Sequence, residues 1–280
     1  MRGTFEYVRV RTVDEACRHL ADAAGEAAVL AGGTDLLVEI RNGIRSPRLL
    51  IDCKSVEALD QVDVRDGDLT IGASVPLNCL IERADVRAAA PALASAAASI
   101  GTYQLRNRAT LIGNICNASP AADSAPVLLV LDAEVHICGT SESRTLPVRD
   151  FFTGVKKTTL RPDEIVTAVM LRRPAHVRTV FRKQQRIRGH DLAVVNVAGA
   201  YDAETRQLRL AVGSCAPTPV LLEPISTEDS DPAATAMQAI EVAMQTVSPI
   251  SDVRASADHR RAILPVLIRR TVADLLGGEV

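Results

Sequence analysis

Asn114-Ile115-Cys116-Asn117-Ala118-Ser119-Pro120-Ala121-Ala122-Asp123 is small, polar and turn-forming, and it follows directly on Arg106-Asn107-Arg108-Ala109-Thr110-Leu111-Ile112-Gly113. An apolar run, Val127-Leu128-Leu129-Val130-Leu131, comes soon after. A segment of this kind is expected to be a loop pinned against a core, with backbone amides able to face a ligand. A second glycine turn lies upstream, in Ala31-Gly32-Gly33-Thr34-Asp35-Leu36-Leu37. Two such loops, distant along the chain, suit one long ligand that carries two phosphates.

Outward from these loops the chain reads as α+β. Thr12-Val13-Asp14-Glu15 has the capping-box pattern, and the stripe Val13, Ala16, Cys17, Leu20, Ala24 predicts a helix stopped by Gly25. A strand is expected over 27–31, a short helix over 35–41 and a buried strand over 48–53, which makes a small α/β unit up to about residue 55. A turn at 66–68 leads into a strand over 69–72, a helix over 75–82 and an alanine-rich helix over 87–100, which Pro91 starts or kinks. Beyond the loop, a helix over 127–132 and strands over 134–138 and 165–171 complete a second unit. Residues 172–175 look like a connector. After it, strands over 179–183, 193–201 and 207–213 in hairpin order and helices over 233–245 and 258–276 read as a smaller α+β domain. The expected boundaries are therefore 1–173, split near 55/56, and 174–280.

Composition narrows the function. With 280 residues, 47% apolar and 24% charged, the chain can bury a sizeable core. A formal net charge of −2 offers no basic face for nucleic acid. Six scattered cysteines contain no CxxC pair and no Cys/His spacing for a metal, so they read as small buried thiols in a reducing compartment. No stretch is long and apolar enough to span a bilayer, and MRGTFEYVRV lacks a signal-type apolar run, so a cytoplasmic location is expected. Three Tyr, four Phe and no Trp leave few rings to stack on a ligand.

Each motif has a plain alternative. Gly32-Gly33 between strand and helix allows close approach to an anion, yet such turns are common, and Asp35 would repel a bare phosphate unless it caps the helix or meets a ribose hydroxyl. Thr110 to Asn114 also fits a tight turn, and Asp123 a solvated cap. Lys183 and the basic run through Arg188 also fit a charged strand edge. Neither GxGxxG nor GxxxxGK[ST] occurs, no serine elbow surrounds Ser214, and His190-Asp191 lacks a nucleophile nearby in sequence. So little acid–base chemistry suits a chain whose cofactor does the chemistry.

Taken in order, AGGTDLL (31–37), RNRATLIGNICNASPAADSAPVLLVLDAEV (106–135), FFTGVKKTTLRPDEIV (151–166) and FRKQQRIRGHDLAVV (181–195) resemble the FAD-binding medium subunit of molybdenum hydroxylases. CAPTPV (215–220) and RASADHRRAIL (254–264) fit that family's C-terminal domain. The resemblance covers nearly the whole chain and is nearest to the xanthine-dehydrogenase-like, N-heterocycle-hydroxylating branch. It implies a p-cresol-methylhydroxylase-type (PCMH-type) FAD fold, with two α/β subdomains around FAD and a C-terminal domain, built on a three-stranded antiparallel sheet and helices, over the flavin. It places the backbone amides of Gly32, Gly33, Thr34 and Asp35 on the diphosphate and counts Val29, Leu30, Ala31 and Leu36 among the cofactor-binding residues. Thr110, Gly113 and Asn114 would form a second clamp, with Asp123 near the cofactor, Val166 lining the ring pocket and Lys183 near the flavin carbonyl edge. Two departures stand out: Ile112 replaces one of the family's paired glycines, and Ile100 stands where some relatives present a stacking Phe.

The implied function is electron transfer. A small subunit with 2Fe-2S clusters and a large molybdopterin subunit would complete a dimer of heterotrimers, with electrons passing to NAD⁺, a quinone or oxygen. No extra iron–sulfur cluster is expected in this chain, where Cys116 stands alone. The alternatives are a carbon monoxide dehydrogenase medium subunit, a stand-alone flavin reductase of the UDP-N-acetylenolpyruvoylglucosamine reductase type, or a flavin-free assembly subunit.

Overall fold

The computed structural model describes residues 4–65, 67–172, 176–187, 189–228 and 231–277. The connector expected over 172–175, the turn expected at 66–68 and the basic run ending at Arg188 fall partly outside them.

The first unit is a three-stranded parallel sheet with helical crossovers. Strand β1 (Glu6–Arg9) leads to helix α1 (Val13–Asp22), β2 (Ala27–Leu30), α2 (Leu36–Arg41) and β3 (Leu49–Asp52), and the strand order is β1-β3-β2. Its centre, β3, is the most buried of the three, as a strand flanked on both sides must be. The Thr12 hydroxyl caps α1 by accepting from the Glu15 amide at 3.1 Å, as the sequence predicts. The return arm differs: Glu15 Oε2 accepts from the amide of Arg11 at 2.8 Å, one residue before the cap. The apolar stripe of α1 buries Ala16, Cys17 and Leu20.

The second unit begins with β4 (Val62–Arg65) and β5 (Asp68–Gly72), followed by α3 (Leu77–Glu82), α4 (Ala84–Ala89), α5 (Pro91–Ala98), α6 (Tyr103–Arg106), α7 (Leu111–Cys116) and α8 (Ser124–Val130). Strands β6 (Glu134–Cys138), β7 (Ser143–Pro147), β8 (Phe152–Gly154), β9 (Lys157–Thr158) and β10 (Ile165–Arg172) complete it. Its main sheet is antiparallel in the order β4-β5-β10-β6-β7, with an irregularity in β10 between Val166 and Ala168. The single alanine-rich helix expected over 87–100 is two helices. Ala90 leaves helical geometry (φ −139°, ψ 69°) and Pro91 starts α5 at its first turn, because a residue before proline is pushed out of the helical region. The loop expected over 114–123 is also more ordered than its polarity suggests. Thr110 caps α7, which buries Leu111, Ile112 and Ile115, and α8 starts at Ser124, so only 117–123 is irregular.

The third unit carries the three long strands expected, β11 (Val177–Gln184), β12 (Val195–Asp202) and β13 (Gln207–Gly213), in antiparallel hairpin order. Two-residue strands β14 (Val220–Leu221) and β15 (Ile225–Ser226) also pair with β13, so the sheet has five strands rather than three. Helices α9 (Pro232–Thr246) and α10 (Ala257–Leu276) follow. Alternation along β12 explains the packing. Asn196, Ala198 and Ala200 face α8 of the second unit, and the small alanines let that helix approach, while α5 packs on the neighbouring strand β11. Val195 and Val197 join the core under α10, whose Thr271 and Leu275 lie so close to Gly199 that a methyl there would sit 2.7 Å from each.

Candidate functional site

The two glycine-bearing segments meet. A Cβ on Gly32 would overlap the carbonyl oxygen of Arg108 and lie 2.9 Å from Ala109 Cα. Gly32 therefore serves loop-to-loop contact, a reason that strand–turn–helix pattern alone does not supply. Gly33 has φ +74°, the left-handed region where glycine carries no steric penalty. Between the two segments runs a cleft of about 260 Å³, near the lower bound of roughly 300 Å³ for ligand pockets.

Ala31, Gly32, Gly33, Thr34, Asp35 and Leu36 border this cleft from one side, with Val29 behind them. Thr110, Gly113 and Asn114 border it from the other, and Val166 of β10 forms part of its floor. Leu30 belongs instead to a small core with Ala28, Leu36 and Leu50, its side chain lying under Gly33. Glu39, Asn117 and Glu164 also line the cleft and were not singled out from sequence. Glu164 lies in the 151–166 segment, where a carboxylate just before an apolar strand was the available signal.

The amides decide what this cleft can hold. Among the described residues, the N–H groups of Gly32, Gly33, Thr34 and Asp35 donate to no protein acceptor. A run of uncommitted backbone donors in a turn is a concave anion receptor. The opposite side is different. The Gly113 amide donates to Thr110 Oγ1 at 2.9 Å and the Asn114 amide to the Thr110 carbonyl at 3.1 Å, so both are spent inside the α7 cap. Asn114 Oδ1 accepts from Ser124 Oγ at 2.6 Å, which leaves its side-chain NH₂ as the polar group available to the cleft.

A network of two ion pairs shapes the walls. Glu164, its side chain 1% exposed, is held bidentately by Arg144 at 2.8 Å on each arm, and its Oε2 also accepts from the Arg161 amide. The Arg144 guanidinium holds the Glu164 carboxyl below its ordinary range, against the opposing effect of burial. At the mouth, Lys156 Nζ donates to Asn117 Oδ1 at 2.5 Å and pairs with Glu39 at 3.2 Å.

Ile100, Asp123 and Lys183 lie off the cleft in a second cluster. Lys183 Nζ is 2.6 Å from Asp123 Oδ2 and 3.0 Å from the Ser99 carbonyl, both side chains being almost wholly buried. Asn196 of β12 donates to Asp123 Oδ1 at 2.9 Å, and Ser99 Oγ donates to Oδ2 at 3.2 Å. Burial pushes the Asp123 carboxyl upward, with Lys183, Asn196 and Ser99 pulling it partway back. Half-buried Ile100 follows Ser99 directly. The Asn114–Ser124 bond ties the cleft to this cluster through neighbouring residues 123 and 124. Among the described residues, no group of three or more His, Cys, Asp or Glu gathers as a metal site, and no helix is long and apolar enough to cross a membrane.

A dinucleotide's diphosphate suits the open amides, and known proteins name it. Residues 3–174 match the family described as FAD binding domain in molybdopterin dehydrogenase, and 180–275 match the CO dehydrogenase flavoprotein C-terminal domain. The chain belongs to this molybdopterin dehydrogenase flavoprotein family. It is 31% identical to the xanthine dehydrogenase FAD-binding subunit of Escherichia coli, over 98% of each chain. It is 30% identical to the carbon monoxide dehydrogenase medium chain of Hydrogenophaga pseudoflava, over 96% of each. The solved carbon monoxide dehydrogenase from Hydrogenophaga pseudoflava, in a form lacking the Mo-pyranopterin moiety, superposes with a TM-score of 0.93 at 26% identity, covering 99% of this chain and 98% of that one. As a member of this family the protein is an oxidoreductase flavoprotein subunit, and its cofactor is FAD.

Proposed function

We propose that this chain is the electron-transfer subunit of a cytoplasmic, multi-subunit molybdenum hydroxylase, taking electrons from 2Fe-2S clusters in a small partner subunit and passing them to NAD⁺, a quinone or oxygen. The observation that carries this reading is the row of uncommitted amides from Gly32 to Asp35, facing a cleft closed on its far side by α7. Those amides would hold the diphosphate, with the Asn114 NH₂ opposite. Val166 and the aliphatic wall would exclude water, while Asp35 at the mouth would accept from a ribose hydroxyl. Ile100, Asp123 and Lys183 belong toward the flavin end, where a buried charge pair sets the local field. FAD supplies the chemistry there by storing two electrons that arrive singly.

The substrate we propose for the complex is a purine or another N-heterocycle, in line with the relative named for xanthine. Carbon monoxide is the competing substrate, in line with the second relative. The protein purified with its partner chains tests both levels. The reading requires flavin absorbance in this chain, co-purifying iron–sulfur and molybdopterin subunits, and bleaching of the flavin by xanthine. Bleaching by carbon monoxide alone would reassign the substrate, and a colourless chain would remove the electron-transfer role itself.

A further inference from the structure

Six thiols are unbridged in this protein, and two of them face each other from different units. Cys17 belongs to the buried stripe of α1 in the first unit, and Cys138 ends β6 in the second. The Cys17 Sγ lies 3.4 Å from the Cys138 carbonyl oxygen, so the two cysteines are in direct contact. Alternation along β6 puts Glu134, His136 and Cys138 on one face and the buried Val135 and Ile137 on the other, and α1 packs against the neighbouring strand β10. The same two units flank the cleft, one through Gly32–Asp35 and the other through α7 and Val166.

We propose that Cys17 and Cys138 are a redox modification site, closing to a reversible disulfide with hydrogen peroxide as oxidant and thereby tying together the two units that grip the cofactor. Cys138, half-buried, is the thiol that peroxide reaches, and Cys17 is the resolving thiol. The Cys138 sulfur attacks peroxide, an S–O bond forms as the O–O bond breaks, and hydroxide leaves to take a proton as water. The Cys17 sulfur then attacks the sulfenyl sulfur. An S–S bond forms, the S–O bond breaks, and the departing hydroxide takes the Cys17 proton to give the second water. Two thiols lose two electrons and one peroxide becomes two waters. Burial pushes the Cys17 thiol up to about 12, so this second step is the slow one and quickens as pH rises. Two-electron reduction of oxygen, one of the acceptors proposed above, yields peroxide, but the cross-link itself depends on no particular acceptor.

The test treats the flavin-loaded full-length protein with excess hydrogen peroxide, blocks remaining thiols by alkylation, and maps non-reduced peptides by mass spectrometry. The expected result is a peptide pair joining Cys17 to Cys138, absent after dithiothreitol and absent in both Cys17→Ser and Cys138→Ser. Oxidised wild type is expected to melt several degrees higher and to lose flavin more slowly than reduced protein, with no such shift in either serine variant. Recovery of both thiols alkylated, or of Cys138 as sulfinic acid beside a free Cys17, would overturn the site. A cross-link that leaves flavin release unchanged would overturn its role as a tie across the cleft.

Discussion

Gly32 rests against the backbone of Arg108: there is no room for a methyl group between them. Two segments some seventy-six positions apart (32 to 108) thus form one cradle through main-chain contact, and the cradle tolerates no side chain at its centre. Gly32→Ala is expected to push the segments apart and release FAD, read as loss of visible absorbance per protein after gel filtration. Gly33→Ala should do less harm, because the nearest atom at 2.7 Å is the movable end of Leu30, although φ +74° adds strain of order 1 kcal/mol.

Thr110 does for α7 what an N-cap residue does generally, accepting from the Gly113 amide. Thr110→Val is expected to cost about 1 kcal/mol in urea unfolding, and Thr110→Ser should recover most of it. Because the cap also holds α7 against the cleft, FAD affinity should fall in the valine variant more than in the serine variant.

The Asp123–Lys183 pair has no water to fall back on. Lys183→Met leaves a buried carboxylate without its cation and is expected to destabilise the protein by about 3–5 kcal/mol. Adding Asp123→Asn should restore part of that loss, because the stranded charge is gone. A double-mutant cycle on urea midpoints measures the coupling, and strictly additive losses would mean the pair contributes nothing as a pair.

Acid should find Glu164. Its carboxyl is held below its ordinary value of 4.5 by Arg144, so the folded state binds its proton more weakly than the unfolded chain does. The stabilisation is complete above that ordinary value and is lost as pH falls through the lower folded value. Glu164→Gln is expected to be less stable at neutral pH and to show a flatter decline between pH 5 and pH 3 (roughly the span of carboxylate titration). Parallel curves for the two proteins would place the acid-sensitive group elsewhere.

Much of the architecture was legible in the pattern of residues. The stripe of α1, the buried β3 and the hairpin order of β11, β12 and β13 follow from periodicity. Short charged strands were not: Glu6–Arg9 and Val62–Arg65 each carry two charged residues in four and gain their structure from the neighbours they pair with. The α4–α5 break was visible at Pro91, but whether it kinked or started a helix depended on packing. At the site, the glycines and Asp123 were readable as motifs. The partners of Asp123 were not, except that Asn196 is a lone amide inside the apolar run Val194–Val197, and that misplaced polarity was the available sign. The role of Gly32 against Arg108 is a tertiary contact that no local pattern encodes.

The segment at 120–123 takes several of its hydrogen bonds from the third unit: Pro120 accepts from the Ser214 amide, and Asp123 from Asn196 and Lys183. During synthesis the first two units leave the ribosome before these partners have been made. The carboxy-terminal sheet must therefore dock before this segment takes its final form, and a truncated polypeptide lacks the amide and ammonium partners that the buried Asp123 carboxylate uses.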